Sequence, residues 1–235
     1  MATERVEQTA FLLHSVPHRE TSLIVELFTK DHGRVAAIAK GARRKNSALR
    51  AALMPFQPIR VAYSGNNELR TLIAADWAGG YVPPVGDALI CGFYMNELLL
   101  RLLAREDCHG DLFSAYFEAL VALAEGDSAD TILRRFEWQL LRETGYAPDL
   151  KSSADTTKIC DNQWYRWSPT NGFVVCEPDT ALAVSGGTLR DIANNQYESA
   201  ASRQQAKLLT RTILGHHLNG SPIHSRQILI DLQKL

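Results

Sequence analysis

The chain has 235 residues, 46% apolar and 22% charged, with 25 Lys/Arg against 26 Asp/Glu, which leaves room for one large domain or two to three small ones with a hydrophobic core. No apolar run approaches the ~20 residues that span a bilayer, Glu4 and Glu7 stand where a secretory signal carries cations, and four separated cysteines (Cys91, Cys108, Cys160, Cys176) do not make a disulfide framework. The expectation is a reduced, soluble, cytoplasmic protein.

The first 80 residues read as β-structure. Residues 6–14 and 22–29 are β-branched, apolar runs, and in the second Leu23, Val25 and Leu27 share one face with Glu26 opposite. Pro17-His18-Arg19-Glu20 separates them, and Lys30-Asp31-His32-Gly33 makes the next turn, with Gly33 able to take a positive φ. A third run covers residues 35–39. A fourth, residues 58–63, is entered through Pro55 and Pro58, where a missing N–H is tolerable. Gly65-Asn66-Asn67 precedes a fifth, residues 68–75, in which Leu69, Thr71 and Ile73 alternate with Arg70. Five short strands in about 75 residues fit a closed barrel, which removes exposed edges.

From the turn before the third strand to the approach of the fourth, the chain is basic. Seven cations (Lys30, Arg34, Lys40, Arg43, Arg44, Lys45, Arg50) face one anion, Asp31, over residues 30–50. Residues 1–80 hold eleven Lys/Arg and seven Asp/Glu, so a cationic front end precedes an acidic remainder. A basic loop between strands of a small barrel is the layout of an oligonucleotide-binding (OB) fold. Arg34, Lys40, Arg43, Arg44, Lys45 and Arg50 are the candidate DNA-binding residues: arginines grip phosphate bidentately and lysines act as point charges. Gly41 lets the backbone approach a phosphate closely. Among the aromatics of this region (Phe28, Phe56, Tyr63, Trp77), most are expected in the core, with Phe56 the choice for an exposed stacking platform.

After the linker-like Gly79-Gly80-Tyr81-Val82-Pro83-Pro84, the pattern becomes helical. The periodicity predicts a buried helix over 87–103, a second over 112–124 capped by Asp111, and a third capped by Ser128 or Asp130 and ended by Gly145. Residues 146–186 lose this periodicity and carry Trp164, Tyr165, Trp167 and Phe173. Helical patterning resumes over 188–192, 202–218 and 225–232. The expected organisation is α+β multidomain. An OB-fold barrel spans residues 1–80, and an α-helical domain spans 81–145 plus 187–235. An irregular insertion occupies 146–186.

Short segments in fixed order carry a resemblance. They are Phe11-Leu12-Leu13-His14, Arg19-Glu20-Thr21-Ser22-Leu23, His32-Gly33-Arg34-Val35, Ala39-Lys40-Gly41-Ala42-Arg43, Pro55-Phe56-Gln57-Pro58, Tyr94-Met95-Asn96-Glu97-Leu98, Leu133-Arg134-Arg135-Phe136-Glu137, and Leu140-Leu141 with Gly145-Tyr146. In these the chain resembles the bacterial RecO family of recombination-repair proteins. The resemblance implies binding of single- and double-stranded DNA and annealing of complementary strands in the cytoplasm, at the nucleoid. It implies engagement of the acidic C-terminal tail of single-stranded DNA-binding protein (SSB), and joint action with RecR to load RecA. On the helical body, Arg134 is the first candidate to capture that tail, with Lys207 and Arg211 behind it.

The family's four-cysteine zinc module is not matched. Only Cys160 and Cys176 fall in the relevant region, without a CxxC pair, and two soft ligands do not make a structural zinc site; this region reads as a degenerate zinc knuckle. No metal or cofactor is expected, and aromatic packing takes the module's place. Neither GxSxG, P-loop, HExxH nor a post-strand GxGxxG occurs, so no catalysis is expected. The rival reading is an interaction scaffold whose basic loop binds an acidic protein tail.

Overall fold

In the computed structural model, which describes residues 5–232, the chain opens with β1 (Val6–His18), β2 (Ser22–Thr29), β3 (Gly33–Ala39), a short helix α1 (Ala48–Ala52), β4 (Pro58–Ser64) and β5 (Leu69–Trp77). Glu4 and the outer ends of the first and last expected domains lie outside the described residues. The five strands close into a barrel in the order β1-β2-β3-β5-β4, with β1 pairing β4 to complete the ring and β3 parallel to β5. This is an OB-fold barrel.

Alternation places the core. Ala10 and Leu12, Val25 and Leu27, Val35, Ala37 and Ala39, and Ile59, Val61 and Tyr63 point inward as one buried cluster. The fifth strand departs from its expected phase. Leu69 and Ile73 are 38% and 45% exposed, while Leu72 and Ala75 fill the core. The cause is a register shift against β4: Ala62 pairs Ala74 but Tyr63 pairs Leu72, so Ile73 is the extra residue of a bulge. The β2–β3 turn is closed by buried Thr29, whose hydroxyl donates to the Gly33 carbonyl at 2.9 Å. Gly33 has φ +63°, and a Cβ there would lie 1.7 Å from the Asp107 carbonyl oxygen, so only glycine fits.

The barrel's outer face is apolar along β1 and β2, and two helices cover it. These are α2 (Asp87–Leu102) and α3 (Gly110–Glu125). Phe11 meets Phe113 and Tyr116 at 5.4 and 5.1 Å between ring centroids, and Phe28 meets Phe113 at 5.3 Å. Leu13 sits at the register shift of β1. Its carbonyl accepts from Asn96 Nδ2 at 3.0 Å, and Asn96 in turn accepts from the Tyr116 hydroxyl at 2.5 Å. That chain satisfies every polar group it buries, as a tight interface requires.

The remaining elements are α4 (Ala129–Glu143), a three-stranded antiparallel sheet of β6 (Trp164–Ser168), β7 (Gly172–Cys176) and β8 (Val184–Ser185) in the order β7-β6-β8, then α5 (Gly186–Ala193), α6 (Ala200–His217) and α7 (His224–Leu232). Packing groups the chain into two compact units, residues 1–127 with 223–235, and residues 128–222. This grouping cuts across the helical body expected over 81–145 plus 187–235. The physical reason is that α2 and α3 are the barrel's own cover. The last helix joins them because Glu97 of α2 accepts from the backbone N–H groups of His224 and Ser225, both at 2.9 Å, and from the Ser225 hydroxyl at 2.7 Å. In the second unit Tyr165, Phe173 and Val184 are buried, and Ser185 and Ser199 cap α5 and α6. Among the described residues no helix is long and apolar enough to cross a membrane.

Candidate nucleic-acid interface

The basic segment leaves β3 at Ala39 and runs to α1 as a chain of tight turns, with Arg44 N–H on Gly41 O at 3.0 Å, Ser47 N–H on Arg44 O at 3.2 Å and Arg50 N–H on Ser47 O at 3.1 Å. Gly41 takes φ +70°, and the Arg44 side chain lies over it at 3.5 Å from where a Cβ would sit. Ala42 is 1% exposed and belongs to the barrel core, so the loop is anchored at its middle. Arg43 then ties it to the β1–β2 turn: its N–H donates to Thr21 O at 2.9 Å, and its guanidinium donates to Glu20 O at 3.2 Å and Arg19 O at 3.4 Å. Lys40, Arg43, Arg44, Lys45 and Arg50 are all exposed. None of the five has a carboxylate within ion-pair distance among the described residues.

Two of the seven cations drop out of this cluster. Arg34 is half-buried and already engaged: its Nη1 donates to Leu100 O, its Nε lies 3.8 Å from Glu26 Oε2, and burial pulls its pKa down against the pull of Glu26. It joins β3 to the end of α2, which sets it apart from the exposed cations with which the sequence groups it. Lys30 lines a separate groove with Arg5 and Arg60, where Glu7, Asp31 and Asp76 match the cations one for one. Arg19, a turn residue by its sequence context, belongs with the basic loop. It is exposed, has φ +51° and offers its carbonyl to Arg43. The signal was topological, because Leu23 pairs Ala39 and the two chain turns beyond them must meet.

The aromatics are reassigned as well. Phe28, Phe56 and Tyr63 are buried at 0–1% exposure, and Trp77 is 60% exposed. Phe56, the expected platform, has φ +63°, which turns its ring inward edge-on to Phe93 at 4.9 Å. Tyr63 is held inside by a 2.8 Å hydrogen bond between its hydroxyl and His32 Nδ1.

In the second unit, Arg134 is 3% exposed and its Nη2 donates to Glu137, itself fully buried. Glu137 Oε2 accepts from Thr210 Oγ1 of α6 at 2.6 Å. Arg134 is therefore held inside α4 by Glu137, one helical turn on, and Glu137 carries the tie to α6; the guanidinium is buried where the sequence places it on the surface. Lys207 pairs Asp130 at 3.0 Å and stays partly exposed, with Arg211 one helical turn on. Cys160 is exposed and Cys176 partly so; among the described residues no three His, Cys, Asp or Glu side chains group to hold a metal. Two cysteines fall short of the four soft donors that structural zinc requires.

Comparison with known proteins agrees with this architecture. Residues 1–81 match the family model described as Recombination protein O N terminal, and residues 84–227 match Recombination protein O C terminal. The chain is 47% identical over 232 residues to the DNA repair protein RecO of Burkholderia pseudomallei, covering 97% of this chain and 84% of that protein. It is 47% identical to the RecO protein of Ralstonia nicotianae, at 97% and 85% coverage, and 49% identical to that of Aromatoleum aromaticum, at 97% coverage of both. With the two family models matching residues 1–81 and 84–227 and an OB barrel under the first of them, the chain belongs to the RecO family of DNA repair and recombination proteins.

Proposed function

We propose that this chain is a non-catalytic recombination mediator of the cytoplasm. It binds single- and double-stranded DNA through the Lys40–Arg50 loop and anneals complementary strands. Together with RecR it helps RecA load onto strands coated with SSB. The observation that carries the DNA-binding reading is the cluster of five exposed cations, unpaired with carboxylates, on a loop anchored by Ala42 and Arg43. A sugar-phosphate backbone suits this arrangement because it is a row of anions that needs no sequence reading. Annealing follows without a chemical step: neutralising two backbones lowers their repulsion while base edges stay free to pair. The roles of RecR, RecA and SSB rest on membership of the family. The acidic SSB tail would meet the Lys207–Arg211 side of α6 rather than buried Arg134.

The test is a salt series of single-stranded DNA affinity with wild type and Arg44→Ala/Lys45→Ala. That pair is chosen because Arg43 also holds the β1–β2 turn. Five neutralised phosphates give a slope of log K against log salt near −3.5, and the double variant should lose about 1.4 of it. Strand annealing should fall in parallel. An unchanged slope with intact annealing would remove the loop from the DNA path. Displacement of an acidic peptide rather than DNA at the loop would favour the scaffold reading.

A further inference from the structure

The barrel also presents an indole to solvent and holds it there. Trp77 ends β5 opposite Ile59, and its Nε1–H donates to Gln57 Oε1 at 2.9 Å, so the exposed ring has a fixed orientation. It walls a shallow groove of about 270 Å³ with Ala51, Ala52, Met54, Pro55 and Pro83. Met54 is 53% exposed, which leaves the groove apolar and uncovered. The groove begins where the basic loop ends, since Ala51 and Ala52 of α1 directly follow Arg50. A strand whose phosphates lie along Lys40 to Arg50 is thereby delivered to an apolar slot with an aromatic wall.

We propose that Trp77 is a stacking platform for an unpaired base of single-stranded DNA, seated in this groove beside the phosphates held by the loop. The inference rests on the loop reading above and adds what the loop lacks, a way to tell single strands from duplex. Phosphates are common to both, whereas a base face is free to stack only when it has left the double helix. Neighbouring cations and a rigid π-face are the two components of sequence-tolerant single-strand binding. No carboxylate lines the groove to repel a neighbouring phosphate.

The experiment uses the full chain with three probes: labelled oligo(dT), an abasic deoxyribose-phosphate oligomer of equal length, and a duplex. Trp77→Ala should bind oligo(dT) roughly tenfold more weakly with an unchanged salt slope. Its binding to the abasic oligomer and to duplex should match wild type, and Trp77→Phe should recover most of the loss. Arg44→Ala/Lys45→Ala is run alongside and should lose slope on all three probes. If Trp77→Ala binds oligo(dT) like wild type while the loop variant loses slope, the platform is wrong and the loop reading stands. If neither variant changes binding, both fall. Equal losses by Trp77→Ala on all three probes would make Trp77 a structural support of the loop and overturn the platform, and capture of an apolar peptide in the groove with no effect on oligo(dT) would assign it to a protein partner instead.

Discussion

Arg134→Ala should be among the most damaging single substitutions in residues 128–222, and the reason separates a structural from a surface role. Arg134 and Glu137 are 3% and 0% exposed, and the carboxylate has Thr210 as its second partner. Truncating the arginine removes the cation that neutralises this buried carboxylate, a change that costs about 3–5 kcal/mol. The guanidinium is itself imperfectly served, since its Nε and Nη1 find no hydrogen-bond partner among the described residues. Replacing both charges with apolar residues of similar length, Arg134→Met with Glu137→Leu, should therefore return stability to within about 1 kcal/mol of wild type or above it. Thr210 keeps an alternative acceptor in the Lys207 carbonyl at 3.5 Å. Urea unfolding followed by tryptophan fluorescence reads this unit, because Trp138, Trp164 and Trp167 lie in it and only Trp77 lies outside. With a slope of ~2 kcal/mol per molar urea, the single variant's midpoint should fall by about 1.5–2.5 M. A midpoint within about 0.3 M of wild type, with selective loss of binding to an acidic peptide, would refute the reasoning and restore Arg134 to the surface.

Two further predictions concern the first unit. Glu97 is pushed up by burial but pulled further down by hydrogen bonds from Ser225, His224 and Arg101, so its pKa lies below the ordinary 4.5. A depressed folded pKa contributes stability that is present above the unfolded value and lost as pH falls through the folded one. The wild type should therefore weaken below about pH 4.5, whereas Glu97→Ala, lower by about 1–2 kcal/mol at neutral pH through the lost cap on α7, should show a flatter acid limb in thermal melts. Gly33→Ala should cost at least about 3 kcal/mol, read as a collapse in soluble yield or melting temperature, because positive φ and the Asp107 carbonyl oppose any Cβ; a variant that melts like wild type would place the loop after α2 elsewhere.

Much of the barrel was legible because its signals are local. Val25 and Leu27 flank Glu26, Ile59 and Val61 flank Arg60, and the hydrophobic face follows from a period of two. What failed was whatever depends on a partner distant in sequence. The bulge at Ile73 reverses the face of β5, and its cause lies in β4. Arg34 reads as one more cation of a basic run until Glu26 and the Leu100 carbonyl, the latter 66 residues away, are brought beside it. Phe56 sits between prolines in a polar-looking turn, and only its left-handed backbone sends the ring inward. The Arg134–Glu137 tie was within reach, since the spacing of three on a helix puts the two side chains together.

The topology explains why the cations gather where they do. A chain leaving β3 cannot pair next to it, because β2 lies on one side and β5 on the other. It must cross to β4 outside the sheet, and residues 40–57 make that crossing. Such a segment has no ladder to satisfy its backbone, so it folds into self-bonded turns with side chains free to face solvent. The helices that cover β1 and β2 carry the opposite sign: residues 81–127 hold two Lys/Arg against eight Asp/Glu. One compact unit thus has a cationic crossing and an anionic cover, and a field of this kind turns an approaching polyanion away from the helices and toward the loop. The near-neutral net charge of the chain conceals that division. The steering such a field provides weakens with added salt, as would the phosphate contacts proposed for the loop.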